Sequence, residues 1–181
     1  MTALDGSTIM APVRAALARN DTYAKGQALE RAVKSLLRSV PGIIDISQRV
    51  VDAFASEEID LVVYNEHLPG GLPFPSGVFL VECKNWSTPV GADHIRLFGA
   101  KLRERGLSLG VLVAANGITS GRDQRSAGNA AIADHLMAGV QILVITVDQL
   151  ECLHSTEELC ALMIQRLMEL VGTRGQLPLG A

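Results

Sequence analysis

Seven consecutive residues, Val78-Phe79-Leu80-Val81-Glu82-Cys83-Lys84, constrain this chain more than any other segment. Side chains alternate between the faces of a strand, so a run apolar on both faces belongs in the middle of a sheet covered on both sides. The run ends in charge, with Glu82 and Lys84 projecting to one face and Cys83 to the other. An upstream run, Glu58 to Tyr64, carries Asp60 near its start. If the two runs pair, Asp60 joins Glu82 and Lys84 at the margin of an otherwise greasy sheet. Charges placed there cost free energy unless they pair or ligate something.

The rest of the chain supplies the layers. Residues 1–20 read as an Ala-rich, partly helical lead-in, frayed or used for contact with a second copy. From Tyr23 to Val40, Ala28, Leu29, Ala32, Val33, Leu36 and Leu37 form one apolar stripe of a helix, ended by Pro41-Gly42. Ile43 to Phe54 is β-branched and strand-like, with Ser56-Glu57 as a tight connection onward. His67 to Gly77 holds three prolines and three glycines and must be a loop. Ala92–Arg105 suits a helix, Leu107–Ala114 a buried strand, and Ser120–Ala138 a helix opened by Thr119 or Ser120. Gln141–Val147 is another apolar strand and Thr156–Val171 a last helix. The order predicts an α/β chain whose mixed sheet is antiparallel in its first half and crossover-linked in its second, sandwiched by helices. The expected organisation is a helical extension (1–22), one domain (23–171) and a flexible tail (172–181).

Composition excludes several classes. At 181 residues, 48% apolar and 19% charged, the chain suits one aliphatic-cored domain rather than a disordered segment. No stretch approaches the ~18 apolar residues of a membrane span, and no signal peptide is evident. Cys83, Cys152 and Cys160 lack metal-ligand spacing and are expected as core thiols in a reducing cytoplasm. The net charge of −3 argues against coating nucleic acid by bulk charge. Basic residues do cluster, Arg14 to Arg38 in one region and Arg96, Lys101, Arg103, Arg105, Arg122 and Arg125 in another, where solvated helix faces are the ordinary explanation.

Phosphodiester hydrolysis needs an activated water, charge stabilisation on the phosphate and help for the departing oxygen. Mg²⁺ can supply all three through carboxylate, carbonyl and water oxygens. Asp60 and Glu82 on neighbouring strands could bridge one ion, with the backbone carbonyl of Cys83 as third ligand. Lys84 would face the attacking water or a phosphate oxygen. Glu30, at the margin of the first apolar stripe, could serve as an accessory ligand. Each has an ordinary reading: a same-face ion pair for Glu82 and Lys84, a strand-start residue for Asp60, an i,i+4 partner of Lys34 for Glu30. Their combination on central apolar strands favours the catalytic one.

These residues resemble the PD-(D/E)xK nuclease superfamily, in particular its Mrr-like restriction endonuclease branch. The similarity runs from about Tyr23 to Leu153 through Gly26-Gln27-Ala28-Leu29-Glu30, Leu36-Leu37, Ile59-Asp60-Leu61-Val62, Val81-Glu82-Cys83-Lys84-Asn85-Trp86 and Leu109 to Ala114. The resemblance implies a restriction-endonuclease-like α/β/α sandwich and an Mg²⁺- (or Mn²⁺-) dependent deoxyribonuclease acting in defence, repair or element mobility. It implies Asp60, Glu82 and Lys84 as the catalytic core and Glu30 as an accessory acid. His94 and, near a helix start, Gln124 and Arg125 are weaker candidates for phosphate contact. The chain departs from the branch in its approach to the Asp, Ala55-Ser56-Glu57-Glu58, in lacking a Pro before Asp60, and in its long Pro/Gly loop. No separate recognition domain is evident, so a homodimer or a partner protein is expected to supply target recognition. The alternatives are a Holliday-junction-type nuclease and a non-catalytic nucleic-acid-binding subunit.

Overall fold

The structure, a computed structural model, describes residues 2–18, 21–51, 58–74, 77–119 and 127–173. The element order is α1 (Gly6–Leu17), α2 (Thr22–Arg38), β1 (Ile43–Val51), β2 (Glu58–Asn65), β3 (Val78–Lys84), α3 (Ala92–Glu104), β4 (Leu109–Ala114), α4 (Ala127–Met137), β5 (Gln141–Thr146), α5 (Val147–Glu151) and α6 (Thr156–Gly172). One five-stranded sheet runs β1-β2-β3-β4-β5. β1–β2 and β2–β3 pair antiparallel, β3–β4 and β4–β5 parallel. The mixed sheet expected from the pattern is therefore present, with β3 at the switch between its halves.

Helices cover both faces. Asp21 caps α2 by accepting from the Ala24 amide at 3.0 Å. The inner stripe Val33, Leu36 and Leu37 of α2 meets Val81, Val111, Val113 and Ile145 of the sheet and Leu159 and Met163 of α6 around a small apolar space. The opposite face takes α3. A Cβ added at Gly110 would lie 2.6 Å from Leu102 and 2.8 Å from Phe98, so the bare glycine lets α3 approach β4 closely. α4 packs on α3 in the same layer, giving the three-layer α/β/α sandwich.

Three expectations need correction. The described part of the lead-in, residues 2–18, is docked: Met10 and Val13 of α1 are fully buried, Leu4 and Gly6 amides donate to the carbonyls of His154 and Leu153, and Arg14 pairs with Glu151 at 2.6 Å and with Asp148. Cys152, the C-cap of α5, is exposed, whereas Cys83 and Cys160 are buried. The short helix α5 is absent from the sequence reading, although Thr146 and Gln149 form a capping box at its start. The Ser56-Glu57 connection, the Ser120 cap, Gln124, Arg125 and the tail from 174 onward lie outside the described residues.

Candidate active site

The β2–β3 ladder stops at Leu61↔Val81, and the next step of that register sets Asp60 opposite Glu82. There the strands part, and a side chain replaces the ladder. The Cys83 amide donates to Asp60 Oδ2 at 2.7 Å instead of to a β2 carbonyl. On the other side, Lys84 O accepts from the Ala115 amide at 2.9 Å. Successive carbonyls of a strand point to opposite sides, so the Cys83 carbonyl faces the same opening as its amide. Asp60, Glu82 and Lys84 thus share the α3 face of the sheet at the carboxyl end of β3, the end of the strands at which open α/β sheets place their ligands.

Glu82 is buried at 6% exposure. Its Oε1 pairs with Lys84 Nζ at 2.6 Å, while its buried Oε2 has no hydrogen-bond partner among the described residues. Burial first, and then repulsion from Glu82, push the Asp60 carboxyl up from 3.8 to about 7, against the pull of the Cys83 amide and Lys84. Burial is the largest single effect on Lys84 and lowers it, but Glu82 and Asp60 together outweigh it and raise the ammonium above its ordinary value. Lys84 is therefore a fixed cation at neutral pH in the metal-free protein. Burial also pushes the Cys83 thiol up, which makes it an inert packing group on the opposite face.

Glu30 is buried on α2, which covers the face away from the carboxylate pair. Its charge reaches Asp60 and Cys83 around the sheet end and raises both. Among the described residues no group of three or more His, Cys, Asp or Glu side chains is gathered for a metal. The structure therefore brings together Asp60, Glu82 and Lys84, with Glu30 close enough to act on Asp60 and Cys83 through its charge. Asn85, directly after Lys84, donates through Nδ2 to Lys25 O at 2.9 Å and clips the first turns of α2 to the end of β3.

Beyond Asn85, Trp86 stands edge-on to His94 with ring centroids 4.6 Å apart, and Lys84 Nζ lies 5.7 Å from the Trp86 ring centroid. His94 does not cap α3, whose N-cap is Gly91; it braces the tryptophan beside Lys84. The loop after β3 is pinned to the loop after β4, with Val90 bonded to Gly117 and Thr119.

Lys101 is the residue that sequence reasoning misses. Counted there among solvated basic residues of a helix, it is in fact buried at 6% exposure. Its Nζ donates to Glu58 O at 2.8 Å and lies 3.6 Å from Glu82 Oε2. The available signal is its place three residues after buried Phe98, at the edge of the apolar stripe.

No curated protein matches the chain. The family model of the Mrr catalytic domain, described as restriction endonuclease, matches residues 23–144, from the start of α2 into β5, and so covers the whole constellation. This chain belongs to the Mrr-type restriction endonuclease family.

Proposed function

We propose that the protein is a divalent-metal-dependent endonuclease that hydrolyses DNA phosphodiester bonds at Asp60, Glu82 and Lys84. The observation carrying this reading is the parted β2–β3 ladder, where two opposed carboxylates, a backbone carbonyl and a fixed ammonium converge at the end of a buried strand. The donor set suits a hard ion. Asp60 is held up first by burial and then by repulsion from Glu82, both of which a cation would offset, and Glu82 Oε2 is a buried acceptor with no hydrogen-bond partner among the described residues. Asp60, Glu82 and the Cys83 carbonyl would hold Mg²⁺ or Mn²⁺. When bound, such an ion supplies a nucleophilic water and Lewis-acid stabilisation of the phosphate.

The remaining work falls to the protein. Lys84, protonated and restrained between Glu82 and Trp86, orients the attacking water or a non-bridging phosphate oxygen. Glu30 tunes the charge of the centre from behind. Target recognition comes from a second copy or a partner protein, and the setting is defence, repair or element mobility. Incubating supercoiled plasmid with Mg²⁺ and wild type, Glu82→Gln or Lys84→Met tests the assignment. Wild type should nick or linearise the plasmid, and each variant should lose at least about 10²-fold. Undiminished cleavage by both folded variants would reject it. A four-way junction in the same assay distinguishes the junction-selective alternative.

A further inference from the structure

Lys101 is a buried ammonium on a carboxylate that the chemistry needs for something else. Its hydrogen bond goes to Glu58 O at 2.8 Å, and its 3.6 Å separation from Glu82 Oε2 is too long for a second one. It therefore acts on Glu82 through charge rather than by fixing the carboxylate's orientation. The oxygen it faces is the one without a hydrogen-bond partner among the described residues. Lys84 already takes Oε1. In the metal-free protein, the negative charges of Asp60 and Glu82, when both are ionised, are matched by the positive charges of Lys84 and Lys101.

We propose that Lys101 is a built-in counter-cation that opposes divalent-metal binding at Asp60 and Glu82, so that the site fills readily only when a substrate phosphate adds negative charge. This rests on the metal-dependent reading above. The buried position matters: the Lys101 side chain is 8% exposed, so solvent screens its repulsion of an incoming ion little. Anchoring to Glu58 O at 2.8 Å keeps it from swinging away when the ion arrives. Lys84 is different, since its side chain is 22% exposed and water screens its charge more. Of the two ammonium groups, Lys101 is the permanent one.

The test titrates Mn²⁺ into the full chain without nucleic acid and follows free Mn²⁺ by electron paramagnetic resonance. Lys101→Met should bind Mn²⁺ about tenfold tighter than wild type or more, because a buried unit charge is removed from the ion's neighbourhood. Lys101→Arg, which keeps the charge, should behave as wild type. Lys101→Gln serves if the Met variant fails to fold, since its amide can still donate to Glu58 O. Adding a DNA duplex with uncleavable phosphorothioate linkages should tighten Mn²⁺ binding to wild type more than to the neutral variants. Unchanged or weaker affinity in a folded neutral variant overturns the counter-cation role, and weaker affinity would make Lys101 a support for Glu82 instead. If Asp60→Asn binds Mn²⁺ as wild type does, or nothing binds with or without DNA, the metal reading itself has failed.

Discussion

Replacing Asp60 by asparagine should stabilise the metal-free protein while destroying the proposed site. In the folded chain the Asp60 carboxyl is pushed up from 3.8 to about 7, by burial first and Glu82 second. Between those values the native state binds a proton that the unfolded state has released, so this group's contribution to stability falls as pH rises from about 4 to 7. A shift of roughly three units corresponds to an upper bound of about 4 kcal/mol at pH 7 and above. Water reaching a partly exposed carboxylate, and coupling to Glu82, reduce this to about 1–2 kcal/mol. The amide oxygen of the introduced asparagine can still accept from the Cys83 amide, so the hydrogen bond at the parted ladder survives.

For a chain of this size, about 1–2 kcal/mol is a rise in Tm of roughly 2–8 °C. Thermal unfolding in EDTA, from pH 4 to 8, should show the two proteins converging at the acid end and Asp60→Asn pulling ahead towards neutrality. An excess of Mn²⁺ large enough to fill the site against Lys101 should then raise the wild-type Tm and leave the variant unmoved, because stabilisation follows occupancy. A variant less stable than wild type at pH 7.5 in EDTA, or a difference constant with pH, would refute the claim that Asp60 is held in a repulsive, buried setting.

Two further substitutions separate packing from chemistry. A Cβ at Gly99 would sit 2.2 Å from the buried His135 ring, so Gly99→Ala must displace it; a loss of about 2–3 kcal/mol is expected by chemical denaturation, partly recovered in a Gly99→Ala, His135→Ala double variant. Asn85→Ala removes the 2.9 Å clip from β3 to Lys25 O and should cost about 1 kcal/mol. Because that clip sets where α2 and Glu30 stand, metal-dependent cleavage should fall well beyond what the stability loss explains, and unaltered kcat would show that the clip serves the fold alone.

Most of the candidate site is legible in the sequence because strand physics is nearly digital. Side chains alternate with period two, so Glu82 and Lys84 share a face wherever the strand lies, and pairing of two apolar runs leaves few positions for Asp60. The structure sets Asp60 one register step beyond Leu61↔Val81. Lys101 is not legible in the same way. Whether a lysine at a helix margin points to water or along the sheet depends on how near the helix comes, and that depends on Gly110 accommodating Leu102 and Phe98. His94 illustrates the same limit, since its partner Trp86 lies beyond the strand, in a loop whose course is set by the Val90–Thr119 bond.

The position of the carboxylates follows from an energetic conflict. A fully paired β2–β3 ladder would bury Asp60 and Glu82 face to face, at a cost neither could offset by Coulomb attraction. Parting the strands one step early lets Asp60 turn onto the Cys83 amide, and Lys84 and Lys101 then bracket Glu82 from two elements. That arrangement offsets part of the charge, yet it leaves Glu82 Oε2 without a hydrogen bond from the described residues and Asp60 protonated until near neutrality. A site evolved only for stability would exchange the pair for apolar side chains. Its presence beside a central strand whose residues Val78 to Val81 and Cys83 are apolar is the physical reason to look for metal-assisted chemistry there before anywhere else on the molecule.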